Sequence, residues 1–325
     1  MTTKETVLQY LEENKGELVS GGAIAAALGL TRAAVWKAVQ SLAEDGYPIT
    51  SVSKKGYLLE PESDILSVQS IRPFLKDPDF YPDIRVYEEV GSTNQVAKEL
   101  ANNGAPGGTV IIAEHQTAGR GRMGRSFYSP EARGIYLSAI FRLQDSVETS
   151  MLITSAAAVA VSRAVKSVTG LETQIKWVND VYLEGKKLCG ILTEASMNFE
   201  SNTLDYLVVG IGINVSLCDL PEELRPVVTC LEEHLPGMRI SRSELIGALL
   251  DELKAVILDL RDKTFLREYR ERSFILGSEI NVISAAATER ATAIDIDEQG
   301  RLLVRMADGT ERLLNSGEIS IRKVE

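Results

Sequence analysis

Seven consecutive residues combine the two residue types that bind anions through backbone and side chain. Residues 119–125 read Gly-Arg-Gly-Arg-Met-Gly-Arg, in a chain whose formal net charge is -11. Glycine lets a backbone approach a ligand closely, and an arginine guanidinium can bond phosphate or carboxylate oxygens two at a time. The pattern predicts a flexible loop that closes over an anionic ligand, although an ordinary basic surface loop could have the same composition.

The residues around this loop exclude two common phosphate-binding motifs. No Gly-Lys-Ser/Thr follows, so the loop is not a Walker loop, and no βαβ unit with a downstream acidic residue frames a dinucleotide fingerprint. A β-branched run at 109–113 precedes the loop and an apolar run at 134–143 follows it. We expect strand, mobile basic loop and strand, with the loop and the strand 134–143 at an edge of a sheet.

A second polar cluster lies on a predicted β-hairpin. Apolar residues at 176–183 and 185–194 flank a Glu-Gly turn and indicate two strands. Asn179, Asp180 and Lys187 lie in these strands, where a solvated hairpin would not need them. The hairpin is therefore a candidate part of a site.

Two further segments carry small or polar residues beside regular elements. Gly-Ser-Thr-Asn at 91–94 precedes a helical run at 96–101, where a simple helix N-cap would also explain it. Residues 208–215 read as a buried strand whose alternating glycines leave room for a flat ligand.

Five motifs now stand in one order between residues 91 and 215. They are Gly-Ser-Thr-Asn (91–94), Gln-x-Ala-Gly-Arg-Gly-Arg-x-Gly-Arg (116–125), Lys-Trp-x-Asn-Asp (176–180), Lys-x-x-Gly-Ile-Leu (187–192) and Gly-Ile-Gly-Ile-Asn-Val (210–215). Together they resemble the biotin–protein ligase family. Lipoate ligases share that fold but lack the arginine loop, so they rank second.

The resemblance implies an ATP-dependent ligase with Mg²⁺ beside the nucleotide, no dedicated metal site, and biotin as a substrate. It implies that biotin and ATP form biotinyl-5′-AMP, which then acylates a lysine of the biotin carboxyl carrier protein of acetyl-CoA carboxylase. Cations would lower the barrier where the biotin carboxylate meets the α-phosphate. The catalytic residues implied are Lys187, Arg122 and Asp180. The residues implied to bind biotin or adenylate are Ser92, Thr93, Asn94, Gln116, Arg120, Gly121, Arg122, Phe127, Asn179, Lys187, Gly190 and Asn214.

Two positions depart from the family pattern. Phe127 stands where many relatives carry tryptophan, and it should still stack on adenine with a smaller area. Val178 stands where proline is common, which changes backbone stiffness more than chemistry.

The composition bounds the class of protein. At 325 residues the chain should hold two or three domains. Because no signal sequence or run of 18 apolar residues is present, we expect a cytoplasmic protein that does not enter a membrane. Cys189, Cys218 and Cys230 read as reduced core thiols, and His115 and His234 fit no metal-ligand spacing.

The first 62 residues predict a winged helix-turn-helix. Apolar spacing indicates helices around residues 7–11, 24–28 and 31–45, with Gly29 at the bend and Thr31 as an N-cap. Strands at 49–52 and 57–59 then flank the basic tip 53–56. The helix 31–45 would be the recognition helix, although a small helical docking domain is the alternative.

Charge in this segment is placed where DNA phosphates would lie. It holds six Lys or Arg against eight Asp or Glu, yet four of the six cations fall on the recognition helix or the wing. Family members with such a domain also repress biotin genes, so we interpret the chain as a bifunctional ligase and repressor that binds the operator of the biotin operon. The candidate DNA-binding residues are Arg32, Trp36, Lys37, Lys54 and Lys55.

The remaining chain completes an α+β multidomain architecture. A capping-box pattern at 241–244 opens an amphipathic helix to residue 260, and five short strands follow between 279 and 322. We predict a winged helix-turn-helix (1–62), a mixed α/β, class II synthetase-like ligase domain (63–270) and an SH3-like β-barrel (271–325).

Two other functional hypotheses remain open. One is a non-catalytic biotin sensor that binds DNA, and the other is a ligase whose N-terminal domain serves only docking or biotin entry. The intact arginine loop, Asp180 and Lys187 favour catalysis over sensing. We further expect biotinyl-5′-AMP to promote homodimerisation.

Overall fold

The computed structural model describes residues 1–143, 147–198, 203–216, 220–283, 287–315 and 318–321. It divides into two compact units, one of residues 1–76 with 241–247 and one of residues 77–240 with 248–325. The boundaries of the three predicted domains stay predictions. Cys218, and the predicted strand ends at Ser284 and Arg322, lie outside the described residues.

The first unit contains the predicted helix-turn-helix. The axes of its second and third helices are bent by 108° relative to each other, within the range expected for this motif. Gly29 between them takes the left-handed conformation at φ 65°. The helices and strands are α1 (Thr3–Glu13), α2 (Gly21–Leu28), α3 (Arg32–Glu44), β1 (Ile49–Val52), β2 (Gly56–Leu59) and the short α4 (Val68–Ile71).

Local sequence explains why α3 forms where it was predicted. The Thr31 side chain caps it by accepting a hydrogen bond from the Ala34 N–H at 3.1 Å. Val35, Val39 and Leu42 are buried at helical spacing against α1 and β2. This leaves the opposite face of the recognition helix in solvent.

The second unit is built on a seven-stranded mixed sheet in the order β3-β4-β5-β9-β8-β7-β6. Only the β3–β4 pair among the described strands is parallel. The strands are β3 (Asp83–Val90), β4 (Thr109–Gln116), β5 (Gly134–Phe141), β6 (Gln174–Lys176), β7 (Asp180–Leu183), β8 (Lys186–Asn198) and β9 (Thr203–Asn214).

Helices cover both faces of this sheet. Glu194 of β8 contacts α5 (Thr93–Asn102), whereas its neighbour Thr193 bonds Thr154 of α7 (Ile153–Thr169). Because successive residues of a strand point to opposite faces, the two helices lie on opposite sides. Residues 149–169, which include most of the short α6 (Val147–Met151), are long and apolar enough to cross a membrane. In α7 that composition serves packing, because most of its side chains are buried.

The prediction of an exposed edge at 134–143 is wrong. β5 lies between β4 and β9, and all eight of its residues are buried. A continuous apolar run is typical of a strand covered on both faces, which is what Ile135–Phe141 forms. The arginine loop therefore leaves the end of two interior strands and does not lie along a lateral edge.

The predicted hairpin is confirmed in its turn and corrected in its first strand. Glu184 and Gly185 both have positive φ, as the tightest hairpin turns require, and β7 pairs with β8 across them. The segment 176–183 is not one strand, because residues 177–179 turn between β6 and β7. That turn carries Asn179.

The C-terminal part holds all five predicted strands as one antiparallel sheet in the order β13-β12-β11-β10-β14. Closure of this sheet into an SH3-like barrel stays a prediction. The preceding helix buries Leu245, Leu249, Leu253 and Val256 as its pattern predicted. These elements are α8 (Arg242–Leu258), α9 (Phe265–Arg272), β10 (Glu279–Ile283), β11 (Thr288–Ile296), β12 (Leu302–Met306), β13 (Glu311–Leu314) and β14 (Glu318–Ile321).

Candidate functional site

The candidate ligand-binding residues surround one cavity of about 370 Å³ in the second unit. Its walls come from several parts of the sequence, among them the start of α5, the end of β4 with the arginine loop that follows it, the hairpin and the end of β9. Every residue that the motifs singled out for ligand or catalysis lines it. These are Ser92, Thr93, Asn94, Gln116, Arg120, Gly121, Arg122, Phe127, Asn179, Asp180, Lys187, Gly190 and Asn214.

One end of the cavity is neutral and polar. Ser92 is the N-cap residue of α5, but its side chain makes no capping hydrogen bond, so the simple N-cap interpretation does not account for it. Gln116 instead accepts hydrogen bonds from the Thr93 N–H at 2.9 Å and the Thr93 hydroxyl at 3.2 Å. Its amide nitrogen donates to the Ser129 hydroxyl at 3.0 Å. Neutral hydrogen-bonding groups thus join the start of α5 to the end of β4 at the surface of the cavity.

Asn94 is fixed at this end from several sides. Its Oδ1 accepts a hydrogen bond from the buried Ser138 hydroxyl at 2.6 Å, and its Nδ2 donates to Glu194 Oε2 at 2.9 Å. Burial would raise the pKa of Glu194, but hydrogen bonds from Lys98 and Asn94 outweigh it and hold that pKa below its usual value. The Asn94 amide is therefore oriented by an ionised carboxylate.

The arginine loop folds back on itself beside the cavity. The Gly121 N–H donates to the Arg125 carbonyl at 2.7 Å, and Arg120 forms an isolated bridge with Ser126. A Cβ on Gly119 would lie 2.5 Å from the Phe127 carbonyl oxygen, so that position requires glycine. Arg122 donates from its guanidinium to Asn179 Oδ1 at 3.0 Å, which links the loop to the hairpin.

The hairpin places an ion pair in the cavity wall. Lys187 Nζ lies 2.7 Å from Asp180 Oδ1, and both side chains keep partial access to solvent. Burial raises the pKa of the neighbouring Tyr182 to about 12, with a smaller contribution from the Asp180 charge. Lys187 and the arginines of the loop thus line the same cavity as the neutral residues of α5 and β4.

Two glycines of β9 make space that other side chains occupy. A Cβ on Gly212 would lie 2.5 Å from the Phe127 ring, and one on Gly210 would lie 2.0 Å from Asn94 Oδ1. The sequence predicted room beside these glycines for a flat ligand. In the structure the space beside the two glycines is occupied by Phe127 and Asn94, and both of these side chains line the cavity.

Known proteins match this chain along most of its length. The sequence profile of the biotin/lipoate A/B protein ligase family matches residues 86–214, flanked by matches to an HTH domain at 3–58 and the biotin protein ligase C-terminal domain at 275–322. The bifunctional ligase/repressor BirA of Bacillus spizizenii is 34% identical over 97% of this chain and 98% of its own length. The chain belongs to the biotin–protein ligase family.

Two further relatives agree with this assignment. The bifunctional ligase/repressor BirA of Escherichia coli is 30% identical over 95% of each chain. The biotin protein ligase of Aquifex aeolicus, whose structure contains biotin and ATP, superposes with a TM-score of 0.62 at 28% identity, over 74% of this chain and 99% of that one. The protein is a biotin–protein ligase and a transcriptional repressor, as the motifs and the helix-turn-helix predicted.

The predicted DNA-binding residues of the ligase lie on exposed surfaces of its first unit. Trp36 and Lys37 project from α3 into solvent, with Trp36 54% exposed. Lys54 and Lys55 form the exposed tip between β1 and β2. Arg32 is exposed at the start of α3, with its guanidinium against Gly22 of α2. Their contacts with DNA stay predictions.

Sequence reasoning missed two parts of the ligase site. Ser138 and Glu194 lie in regular strands with no motif-like spacing, and only their contacts with Asn94 reveal a function. An apolar wall also lines the cavity next to Lys187, where the Lys187 N–H donates to the Val227 carbonyl at 2.9 Å. The apolar positions within 220–228 were its only signal. This wall consists of Leu220, Leu224, Val227 and Val228.

Proposed function

We propose that the ligase joins biotin to ATP as biotinyl-5′-AMP and then transfers biotin to a lysine of the biotin carboxyl carrier protein of acetyl-CoA carboxylase. The observation that carries this proposal is that one cavity is lined both by neutral polar residues of α5 and β4 and by the cationic residues Arg120, Arg122 and Lys187. A molecule with a neutral ring system and an anionic tail would suit such a lining. The biotin and ATP present in the Aquifex aeolicus structure support the same pair of substrates.

In the first step the biotin carboxylate attacks the α-phosphate of ATP and diphosphate leaves. The attack brings two anions together, so positive charge fixed at their meeting point lowers the barrier. Arg120 and Arg122 would bond the carboxylate and phosphate oxygens, and Lys187 would lie between them. Ser92, Thr93, Asn94 and Gln116 would hold the neutral rings of biotin.

In the second step a lysine ε-amine of the carrier protein attacks the carbonyl of the adenylate and AMP leaves. The amine must first lose a proton, and Asp180 is the carboxylate in the cavity wall that can accept or orient it. Its ion pair with Lys187 at 2.7 Å holds the carboxylate in place. Phe127 would lie against adenine, with Gly190 and Asn214 completing the floor.

Magnesium would accompany the triphosphate. Among the described residues, no group of three or more His, Cys, Asp or Glu side chains is placed to hold a metal ion. We therefore expect phosphate oxygens and water to supply most of its ligands, as is usual for Mg²⁺ with nucleotides.

The direct test is to incubate the protein with biotin, MgATP and a biotin carboxyl carrier domain, and to measure the intact mass of the carrier. We expect the mass to increase by one biotinyl group, only when ATP is present. A carrier that stays unmodified, with the ligase folded and its substrates bound, would reject the catalytic proposal.

The two glycines of β9 allow the two ends of the cavity to be tested separately. Gly210→Ala should displace Asn94 and weaken biotin binding by about tenfold, whereas Gly212→Ala should displace Phe127 and weaken ATP binding by a similar factor, about 1.4 kcal/mol each. Calorimetric titration of both variants with both ligands measures this. Equal losses for both ligands in both variants would show that the cavity is not divided as proposed.

For repression we propose that biotinyl-5′-AMP promotes a homodimer in the cytoplasm, which binds a palindromic operator of the biotin operon. Because β5 is interior, it cannot supply the interface. Among the described strands of the seven-stranded sheet, β3 and β6 are the two edges, and the part of β8 beyond Ile191 also has one side without a strand partner. Such an edge can pair with a second copy. Lys187 and Gly190 also lie on β8, so ligand binding and the pairing of two copies would involve the same strand. If ligand binding orders this strand, the second copy would bind with a smaller loss of conformational entropy.

Deleting residues 1–62 should abolish operator binding, because it removes the recognition helix and the wing. Gel shifts with the biotin operon promoter, and sedimentation with and without biotin plus ATP, measure DNA binding and mass. The matched variant Lys54→Ala/Lys55→Ala should keep the ligand-dependent mass change and lose DNA affinity in proportion to the phosphate contacts removed. Constant mass and constant DNA affinity of the full chain, with and without ligands, would reject ligand-controlled repression.

A further inference from the structure

Residues from the C-terminal part of the chain hold the turn that carries Asn179. The Tyr269 hydroxyl of α9 donates to the Val178 carbonyl at 3.0 Å, and Trp177 Nε1 donates to the Gly300 carbonyl at 3.0 Å. Ser273, just after α9, forms a bridge with Ile175 of β6. Two consecutive positions of the motif Lys-Trp-x-Asn-Asp, and Ile175 just before it, are therefore held by groups about ninety or more residues away.

The aromatic side chains that make these contacts are buried. Tyr269 is fully buried and Trp177 is 3% exposed. Burial raises the pKa of Tyr269, so its hydroxyl keeps the proton that it donates to the Val178 carbonyl. Ser155 of α7 bonds the same hydroxyl. Loss of the Tyr269 donor would leave the Val178 carbonyl without this partner, so the two hydrogen bonds hold residues 177 and 178 in place.

The next two residues of the turn face the cations of the cavity. Asn179 accepts the hydrogen bond from Arg122, and its Nδ2 donates to the Ile191 carbonyl at 2.8 Å. Asp180 pairs with Lys187. A shift of the Val178 carbonyl would rotate the following peptide and move both side chains.

We propose that Tyr269 and Trp177 are positioning residues through which the C-terminal part of the chain sets the catalytic geometry of Asn179 and Asp180. The inference rests on the roles proposed above for those two residues. Tyr269 does not line the cavity, whereas part of Trp177 does; the role inferred for both is to hold the turn. Their effect belongs to the chemical steps, because misplacement by about 1 Å can cost on the order of a hundredfold in rate. Biotin binding should persist, since its neutral end is formed by α5 and β4.

The test compares Tyr269→Phe and Trp177→Phe with a matched control, Tyr81→Phe. Tyr81 is another fully buried tyrosine of the same unit, and its hydroxyl donates to the Leu250 carbonyl at 2.6 Å, away from the cavity. All three variants keep an aromatic ring and lose the hydrogen bond from its polar group to a main-chain carbonyl, and Trp177→Phe also removes part of the indole. For each we would measure thermal stability, the biotin dissociation constant, and single-turnover rates of adenylate formation and transfer to the carrier domain.

We expect Tyr269→Phe and Trp177→Phe to slow at least one chemical step by about tenfold, with biotin affinity within about twofold of the parent protein. Tyr81→Phe should lose comparable thermal stability and keep its rates. The fold loss in rate of the double variant Tyr269→Phe/Trp177→Phe should be smaller than the product of the two single-variant losses, because both contacts hold the same turn.

The outcomes separate this inference from the proposed function. If the parent protein does not biotinylate the carrier, the proposed function fails. Suppose instead that the parent protein is active, and that Tyr269→Phe and Trp177→Phe both fold. If their rates then match the rate of Tyr81→Phe, the positioning role is overturned. Should Tyr269→Phe not fold, the result for Trp177→Phe decides alone.

Discussion

Arg122→Ala should reduce the single-turnover rate of adenylate formation by a factor of roughly 30 to 1000. This corresponds to about 2–4 kcal/mol of barrier, the usual cost of removing one placed donor from developing charge. The structure adds a second consequence, because Arg122 is also the residue whose guanidinium joins the loop to Asn179. Without that hydrogen bond the loop loses a contact with the hairpin, so any adenylate formed should also dissociate faster.

Rapid quench with labelled ATP measures adenylate formation, and a chase with unlabelled substrate measures adenylate release. Arg133→Ala is the matched control, because Arg133 is exposed beyond the loop and contributes its backbone carbonyl to Val215 and Ser216. Arg122→Lys keeps the charge without the forked geometry and should recover only part of the rate. Normal formation and normal retention of adenylate by Arg122→Ala would remove Arg122 from the mechanism.

The site could be predicted from sequence where its chemistry is local. Gly119 is required by a close approach to the Phe127 carbonyl, and Glu184-Gly185 by positive φ in a tight turn. Such constraints restrict residue type at fixed spacing, so they appear as motifs. The recognition helix was predictable for the same reason, since its cap at Thr31 and its buried stripe are short-range features.

The position of β5 and the supports of the site depend on contacts that no local pattern encodes. A strand placed between two others and a strand at an edge can have the same apolar run, and pairing with β9 involves residues more than 60 positions away. Likewise, Ser138 bonds Asn94 across 44 positions and Trp177 bonds Gly300 across 123. These partners are chosen by the tertiary fold, so their roles become visible only in three dimensions.

Lys187→Ala should slow biotin activation by on the order of a hundredfold, with a smaller effect on ATP binding. The side chain lines the cavity, and in the proposed mechanism its charge is needed where the biotin carboxylate approaches the α-phosphate. The substitution also leaves Asp180 without its ion-pair partner at 2.7 Å. Asp180 would then add uncompensated negative charge to a site that must hold two anions, so the loss should exceed that of one contact.

Lys186→Ala provides the control for charge on the hairpin. Lys186 is the preceding residue and does not line the cavity, so its loss should leave activation within about twofold, as for a surface substitution. Lys187→Ala/Asp180→Asn removes the unpaired carboxylate charge and should recover part of the rate of adenylate formation, while transfer to the carrier stays slow because the proton acceptor is missing. If Lys187→Ala forms adenylate as fast as Lys186→Ala, then Lys187 is an exposed hairpin lysine with no part in activation. If the double variant recovers nothing, the excess negative charge of Asp180 is not what slows the single variant.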